Sequence, residues 1–288
     1  MRPTDIDVEV TPRSPKRIVV VAVPTRGMVS MRWMVSMQTL QAPINTPIQQ
    51  LSAIGKEVGH ARNNLVQRSL ALVDPRSGAR ASHIFFVDDD CLLSMSALTQ
   101  LWAHQKPIAA GLYYTKTEPP QPLILAGKHE GVRSDWTHGD VVECWAHGMG
   151  ATLIDLDVFR TMYTGGHVEA DPDGTCPVCL GQAQARACDG CFGTGHEIRW
   201  FHTMSQTLEH TSMGPEFSSQ TEDVYFCERA VAAGYQPTVD TGVFAFHYAA
   251  PPIHYDDDRM PSDVCYPLPQ WLEYQRTKQV TWGDEVAV

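Results

Sequence analysis

Three consecutive carboxylates, Asp88, Asp89 and Asp90, follow directly on the apolar run 84–87. A run of Ile, Phe and Val predicts a buried strand, whereas adjacent carboxylates repel one another and resist desolvation. We therefore expect a cation at the strand end. A divalent metal that carries phosphate is the natural candidate, because hard carboxylate oxygens suit Mg²⁺ or Mn²⁺. Two simpler interpretations stay open: a solvated loop, or a helix cap formed by Asp90.

Four cysteines form two C-x-x-C pairs, Cys176 with Cys179 and Cys188 with Cys191, separated by eight residues and surrounded by glycines. Two-residue spacing lets both thiolates of a pair reach one tetrahedral Zn²⁺, which predicts a structural zinc site without an open coordination position. Redox-active or free thiols are the alternative. The second pair lies in Cys-Asp-Gly-Cys-Phe-Gly-Thr-Gly, which resembles the zinc region of J-domain chaperones over about twenty residues and implies no chaperone activity.

Two further acids, Glu222 and Asp223, follow Thr221 at the start of a segment whose apolar residues have helical spacing. A complete structural explanation exists, in which Thr221 caps the helix and the two acids complement its dipole. His247 follows the short apolar run 243–246, which predicts a strand. An isolated histidine of this kind is usually structural.

Strands and helices alternate along the first hundred residues. The expected strands there are 18–23 and 84–87, and the expected helices are 30–40, 59–73 and one that ends near 105 and is capped by Ser94 or Ser96. After Pro107, short apolar segments separated by Pro and Gly predict mixed or antiparallel strands, at 108–114, 123–125, 141–145, 151–154, 237–240 and 243–246, with a helix at 224–234. This order predicts an α/β fold with a mostly parallel central sheet flanked by helices.

Length and charge limit the class of protein. The chain has 288 residues, of which 43% are hydrophobic, which is enough for one large domain with a small appendage. Its formal net charge of -11 argues against a broad electrostatic grip on nucleic acid. Local contact stays open, because Arg62, Arg68, Arg76 and Arg80 could form a basic edge, although arginines that merely solvate a helix and its loop are the simpler explanation.

The apolar stretch 18–23 is too short to span a bilayer, and no signal peptide precedes it, so we expect a cytoplasmic protein, in the host cytoplasm if it is phage-encoded. The remaining cysteines are expected to be ordinary, mostly buried thiols: Cys91, Cys144, Cys227 and Cys265. We predict a flexible lead-in at 1–16, a main domain at 17–248 with a zinc-binding insertion at 167–199, and a tail at 249–288. The acidic triplet at 256–258 in that tail has no strand pattern and is expected to be solvated.

The order of motifs in residues 17–248 resembles the GT-A nucleotide-sugar glycosyltransferases, particularly the inverting family-2-like group and its phage-encoded relatives. The motifs that carry the resemblance are Val23-Pro24-Thr25, Ala61-Arg62-Asn63, Phe86-Val87 with the triplet Asp88-Asp89-Asp90, Gly148-Met149-Gly150, Thr221-Glu222-Asp223 and Phe246-His247. The D-x-D element alone is weakly specific, whereas its order with the later T-E-D and the final histidine is considerably more so. The zinc insertion and the tail depart from the usual pattern and leave the acceptor open.

The resemblance implies a role for each of these acids. Asp88 would contact the donor nucleotide and is a possible metal ligand, and Asp90 would bind Mn²⁺ or Mg²⁺ across the diphosphate, with His247 as a further ligand. Asp223 would be the base that deprotonates the acceptor hydroxyl, and Glu222 would position backbone or acceptor. The nucleotide pocket would be formed by Thr25, Arg26, Arg62, Asn63 and Asp89. The donor-sugar and acceptor side would be shaped by Trp145, His147, Gly148 and Gly150, although Trp145 could be simple core and the two glycines simple turns.

The resemblance therefore implies a metal-dependent, hexosyltransferase-like enzyme that uses a nucleoside-diphosphate sugar, such as a UDP-sugar, with inversion. Its acceptor would be a hydroxymethylated pyrimidine in phage DNA, flipped out of its stack, or a hydroxyl of a glycan or protein. A nucleotidyl- or phosphotransferase could also hold metal on a D-x-D strand end. A non-catalytic module that binds a partner through the zinc knuckle is a third possibility.

Overall fold

The computed structural model describes residues 17–116, 120–128, 130–182, 187–211 and 214–247. The expected lead-in 1–16, the tail 249–288 with its acidic triplet at 256–258, and Cys265 lie outside the described residues. The fold is α/β.

A seven-stranded sheet forms the centre of the described part. In spatial order its strands are β2 (Ile48–Ile54), β1 (Ile18–Thr25), β3 (Ala81–Val87), β10 (Ala151–Asp155), β5 (Ile108–Leu112), β15 (Thr238–Phe244) and β8 (Val141–Glu143). Five of them run in one direction, and only β10 and β8 run in the other. The expected mostly parallel central sheet is confirmed.

Five helices lie in the described residues. They are α1 (Met31–Thr39), α2 (Val58–Leu70), α3 (Ala97–Ala103), α4 (Leu156–Thr164) and α5 (Glu222–Ala232). Successive residues of a strand point to opposite faces of the sheet, and both faces of β3 are buried: Ile84 and Phe86 pack with α2, α4 and α5, whereas Phe85 and Val87 pack with α1 and α3. Helices therefore cover both faces, which is why β1 and β3 are continuous apolar runs.

Shorter strands pair around the central sheet. They are β4 (Cys91–Leu92) with β16 (Phe246–His247), β6 (Ile124–Gly127) with β7 (Gly131–Val132) and β9 (Ala146–His147), β11 (Ala170–Thr175) with β12 (His196–Ile198), and β13 (Met204–Thr211) with β14 (Gly214–Gln220). The pair β11–β12 closes the base of the segment that carries the four cysteines. The pair β4–β16 joins the end of the described chain to the turn after β3.

The expected helices correspond to α1, α2, α3 and α5, but α4 and β2 were not predicted. Helix α4 follows β10 without a Gly or Pro between them, and the Asp155 side chain caps it by accepting from the backbone N–H of Asp157. The strands expected at 237–240 and 243–246 are also different in the structure. They form one strand, β15, whose register with β5 shifts after Asp240, followed by β16.

Candidate active site

The acidic triplet lies at the end of β3, where the chain turns into β4. The backbone N–H of Asp88 donates to the carbonyl of Gly150 at 3.1 Å, and the indole Nε1 of Trp33 donates to the carbonyl of Asp88 at 2.9 Å. These bonds fix the backbone of the triplet from a neighbouring strand end and from α1. The acids therefore occupy a held turn at the carboxyl end of a buried strand, where ligands of open α/β sheets bind.

Arg62 of α2 joins two of the predicted site acids. Its side chain is only 2% exposed, its Nη2 donates to both carboxylate oxygens of Asp88 at 2.8 and 3.1 Å, and its Nη1 donates to Glu222. Arg62 is therefore not part of the basic edge considered above, because its side chain points into the protein. Glu222 is held by Arg62 across α2 and α5, and the side chain of Thr221 makes no capping hydrogen bond.

Burial and mutual repulsion act on the protonation of these groups. Burial raises the pKa of Asp88, with Arg62 opposing and Asp90 reinforcing the shift, and burial raises the pKa of Glu222 against the pull of Arg62. Burial disfavours the charge of Arg62, but Asp88, Glu222 and Asp223 together raise its pKa. One guanidinium thus keeps two or more partly buried carboxylates in place.

Asp90 and His247 meet at the same turn. The Nζ of Lys116 donates to Oδ2 of Asp90 at 2.6 Å, and Nε2 of His247 lies 3.5 Å from the same oxygen. Burial opposes the charge of Asp90, but the hydrogen bonds from His247 and Lys116 lower its pKa to about 2. Two cations of the chain therefore pair with acids of the triplet, Arg62 with Asp88 and Lys116 with Asp90.

A pH dependence follows from Asp90. Because its folded pKa of about 2 lies below the ordinary 3.8, its contacts stabilise the fold above pH 3.8, and this contribution is lost as the pH falls toward 2. We expect Asp90→Asn to flatten the fall of the melting temperature between pH 4 and 2, measured by circular dichroism. Asp157→Asn, at an acid that is 74% exposed, is the control. Parallel curves for the parent protein and Asp90→Asn would contradict the expectation.

Asp223 lies in the first turn of α5 and is half-buried. Within the described residues its carboxylate makes no hydrogen bond or ion pair. Its charge nevertheless contributes to raising the pKa of Asp88, Tyr113 and Arg62, and it reaches His147 as well. The structure therefore brings Asp223 close to Asp88 and leaves its oxygens available to a substrate.

Two glycines allow Tyr113 to approach the triplet. A Cβ on Gly148 would lie 2.0 Å from the hydroxyl of Tyr113, and a Cβ on Gly150 would lie 2.8 Å from Sγ of Cys91 and 3.2 Å from Oδ2 of Asp88. The backbone N–H of Gly150 donates to the Tyr113 hydroxyl at 3.3 Å. The two glycines therefore do more than form a turn, because any side chain at either position would displace groups of the site.

The residues expected around the sugar are less open. His147 is buried, and its Nδ1 donates to the carbonyl of Gly148 at 2.7 Å, while burial lowers its pKa. Trp145 is half-buried against the core beside α5. Both side chains are thus packed within the protein.

The residues expected at the nucleotide pocket separate into two groups. The backbone N–H of Arg26 donates to Asp89 at 3.3 Å, and the hydroxyl of Thr25 accepts from the N–H of Gly27, so the loop after β1 lies beside the triplet. Asn63 is different, because its buried amide exchanges two hydrogen bonds of 2.9 Å with the backbone of Phe201. This amide holds two chain segments together and does not face the triplet.

Sequence reasoning missed Lys116, Trp33, Tyr113 and Cys91 as site residues. Lys116 and Tyr113 follow β5, which runs parallel to β3. Carboxyl ends of parallel strands lie at one edge of a sheet, and the polar side chains after β5 were the available signal. The contact of Trp33 could not be read from the chain, because it joins an indole to a backbone carbonyl far away in sequence.

The four cysteines of the insertion converge, as their spacing predicts. Sγ of Cys176 lies 3.9 Å from that of Cys188, and Sγ of Cys179 lies 3.7 Å from that of Cys191. A tetrahedral Zn²⁺ with Zn–S bonds of about 2.3 Å separates its sulfurs by about 3.8 Å. The cluster therefore fits a metal ion such as Zn²⁺.

The cluster lies at the opposite edge of the sheet from the acidic triplet. Asp189 accepts from Arg80 at 2.7 Å, and a Cβ on Gly190 would lie 2.7 Å from the carbonyl of Gln67 in α2. Arg80 directly precedes the seven residues of β3, and Asp88 directly follows them, so the two residues lie about 26 Å apart along the strand. A metal at the cysteines would therefore stabilise the insertion without touching the triplet.

Removing a metal from the cysteine cluster should increase local unfolding of the insertion and leave the stability of the central sheet unchanged. We expect Cys188→Ser to lose bound zinc and to raise amide hydrogen exchange in β11, β12 and the cysteine loops, because thiolate–metal bonds hold this segment. Hydrogen exchange with mass spectrometry and metal analysis measure the two effects. Cys144→Ser, a buried thiol outside the cluster, should change neither. Full zinc retention in Cys188→Ser would refute the assignment.

No helix among the described residues has the length and apolarity to cross a membrane.

The chain matches no protein-family model and no curated protein sequence. Among solved structures it is similar to A197 from STIV, with a TM-score of 0.44 and 12% identity over 80% of this chain and 85% of that one. It is also similar to S. aureus TarS 1-349, with a TM-score of 0.29 and 12% identity over 55% of this chain and 51% of that one. Because both TM-scores lie below 0.5, neither likeness bears on what this chain does.

Proposed function

We propose that the chain is a metal-dependent inverting glycosyltransferase of the GT-A type. The observation that carries this proposal is the convergence of Asp90, His247, Asp88 and Asp223 beside the carboxyl end of β3. Carboxylates and an imidazole at one strand edge suit a divalent cation bound to a diphosphate, for which Mn²⁺ and Mg²⁺ are the first candidates. The half-buried carboxylate of Asp223, which accepts no hydrogen bond from the described residues, suits a base.

The proposed donor is a nucleoside-diphosphate sugar, and UDP-sugars are the first to test. Asp90 and His247 would hold the cation, which supplies Lewis-acid stabilisation of the departing diphosphate. Lys116 now neutralises Asp90 at 2.6 Å and lies where it can turn its ammonium to a phosphate oxygen once a cation is present. Thr25, Arg26 and Asp89 would line the nucleotide side, because their loop and the triplet are hydrogen-bonded to each other.

Asp223 would take the proton from the acceptor hydroxyl. The acceptor oxygen then bonds to the anomeric carbon as the bond from that carbon to the phosphate oxygen breaks on the opposite face, which inverts the configuration. Arg62 positions Asp88 and Glu222 in this arrangement, and it stays outside the reaction because its guanidinium is committed to both. Water would be excluded from behind by Tyr113 and His147, which are buried.

The acceptor is a separate part of the proposal. A hydroxymethylated pyrimidine in phage DNA would need to leave its stack to reach Asp223. The net charge of -11 and the position of the cysteine cluster at the far edge of the sheet both speak against a large DNA contact that includes the insertion. A hydroxyl of a glycan or protein is the alternative acceptor, and the cytoplasm, in a host cell if the chain is phage-encoded, is the proposed location.

Product analysis tests the proposal. The protein would be incubated with labelled UDP-sugars and Mn²⁺ or Mg²⁺, against hydroxymethylated DNA, unmodified DNA, glycans and a protein acceptor. Release of UDP together with sugar transfer is the expected result, and transfer only to glycans or protein would remove the DNA acceptor. Release of pyrophosphate or transfer of phosphate would instead identify a nucleotidyl- or phosphotransferase. Absence of both donor binding and turnover would favour the non-catalytic module.

A further inference from the structure

A thiol lies beside the two proposed metal ligands. Strand β16 pairs antiparallel with β4, and this register sets His247 directly opposite Cys91. Directly opposed residues of an antiparallel pair project to the same face, so both side chains reach the turn that carries Asp90. One ligand atom from each of Asp90, Cys91 and His247 lies within 4.8 Å of the other two.

The imidazole is oriented as a metal ligand would be. Nδ1 of His247 lies 2.8 Å from the carbonyl oxygen of Tyr114, which can only accept, so the proton is on Nδ1. Nε2, which faces Asp90 at 3.5 Å, is then the nitrogen that would give up its hydrogen bond to Asp90 and bind a cation. A ligand histidine whose other ring nitrogen donates to a backbone carbonyl is the usual arrangement around protein-bound metals.

The thiol of Cys91 is directed to the same point. Its side chain is 0% exposed, and its Sγ lies 3.8 Å from Oδ1 of Asp90. The glycine at 150 leaves this space open, because a Cβ there would lie 2.8 Å from the sulfur. The buried thiol thus lies between the carboxylate of Asp90 and the apolar cluster to which it belongs.

The three donors lie close enough to share one ion. Nε2 of His247 lies 3.5 Å from Oδ2 of Asp90, and Sγ of Cys91 lies 3.8 Å from Oδ1 of the same carboxylate. A tetrahedral ion with bonds of about 2.1 Å to N and O and about 2.3 Å to S separates its ligands by about 3.4–3.6 Å. Small side-chain movements would therefore bring one donor of each residue around a single ion.

We infer that Cys91 is the third protein ligand of the cation at Asp90 and His247, and that the site prefers a borderline cation such as Zn²⁺ or Co²⁺ over Mg²⁺. Thiolate and imidazole together select for these ions. On binding, the S–H bond of Cys91 and the Nε2–H bond of His247 would break, sulfur–metal and nitrogen–metal bonds would form, both protons would pass to solvent, and Lys116 would leave Asp90. The catalytic use of the ion rests on the proposed function, but the ligand set does not require any sugar donor.

Cobalt absorption tests this ligand set without a substrate. Protein whose cysteine cluster retains its zinc, as verified by metal analysis, would be titrated with Co²⁺ alone, and the thiolate-to-cobalt charge-transfer band in the near ultraviolet would be followed. The parent protein should develop the band with one further equivalent of Co²⁺. Cys91→Ser should lack it and bind Co²⁺ at least about tenfold more weakly, whereas Cys144→Ser, at another buried thiol that directly follows β8, should retain it.

Two further variants keep the test decisive if Cys91→Ser does not fold. His247→Ala and Asp90→Asn keep the thiol but remove a neighbouring ligand, and either should weaken the band at a given Co²⁺ concentration. Absence of the band in the parent protein, or an equal band in Cys91→Ser, would overturn the inference. If the Cys91-dependent cobalt band forms but the protein binds no sugar donor, the three-ligand site would be supported and only the proposed transferase function would be contradicted.

Discussion

Asp223→Asn is expected to lower sugar transfer by about 10²–10⁴-fold while the protein still binds the sugar donor, because the amide cannot take the acceptor proton. The carboxylate makes no hydrogen bond or ion pair within the described residues, so the exchange should leave the site architecture intact. Loss of one acid from the first turn of α5 costs about 0.3–1 kcal/mol of stability. Turnover under saturating donor and acceptor and donor affinity by calorimetry are the two measurements.

Glu228→Gln is the matched control. Glu228 lies on the same helix, and its carboxylate accepts from Lys128 at 2.8 Å and not from any residue of the acidic triplet. It should keep the parent turnover. Two results together would exclude Asp223 as the base: the Asp223→Asn protein keeps more than about a tenth of the parent turnover, and its turnover rises with pH as that of the parent does. A base contributes at least about a hundredfold to the rate.

Arg62→Met is expected to destabilise the fold by about 3–5 kcal/mol, because it leaves the carboxylates of Asp88 and Glu222 partly buried without their cation. For a domain of this size each kcal/mol corresponds to about 2–4 °C of melting temperature. Arg68→Met, on the same helix, removes a cation that donates to the carbonyl of Ser52 and should cost far less. Urea denaturation of the three proteins measures the difference.

The pH dependence of Arg62→Met separates a charge effect from lost packing. The pKa of Asp88 and that of Glu222 are already raised by burial, and removing Arg62 takes away the cation that lowers both. Folding of the variant then favours the protonated acids, so its deficit relative to the parent should shrink as the pH falls from 7 to 5. A deficit that is constant across this range would assign it to packing alone.

The central sheet and the acidic turn could be predicted from the sequence. Residues 84–87 are apolar on both sides of the strand, which only a sheet covered on both faces explains, and the charged triplet marks where the strand leaves the core. Likewise the convergence of the four cysteines could be predicted from the two C-x-x-C pairs, because two-residue spacing lets both thiolates of a pair reach one ion. In both cases the signal is local.

Helix α2 shows why the rest could not be predicted. Arg62 and Asn63 were expected in a nucleotide pocket, yet both side chains are buried, as is that of Gln67 on the same helix. The helix packs on the sheet with one side. On its other side it is covered by the end of the insertion and the residues that follow it: Gln67 donates to the carbonyl of His196 at 2.9 Å, and Asn63 bonds to Phe201. A helix that is covered on both sides lacks the alternation of an apolar and a polar face, so its sequence does not reveal which distant segments cover it.

The cations of the site were hidden for a related reason. The sequence required positive charge near the triplet and suggested a metal, whereas Lys116 and Arg62 also supply it. Their contacts with Asp90 and Asp88 span 26 residues each and depend on the strand order β3–β10–β5 and on the packing of α2. Strand order is set by the whole sheet and not by any one motif.

A crystal structure of the full chain soaked with Mn²⁺ and UDP tests the central claim most directly. The proposed function predicts anomalous density for the ion between Asp90 and His247, with the diphosphate bound to it beside the turn after β3 and with Lys116 moved away from Asp90. An ion and nucleotide bound elsewhere, with the contact of 2.6 Å between Lys116 and Asp90 retained, would contradict it.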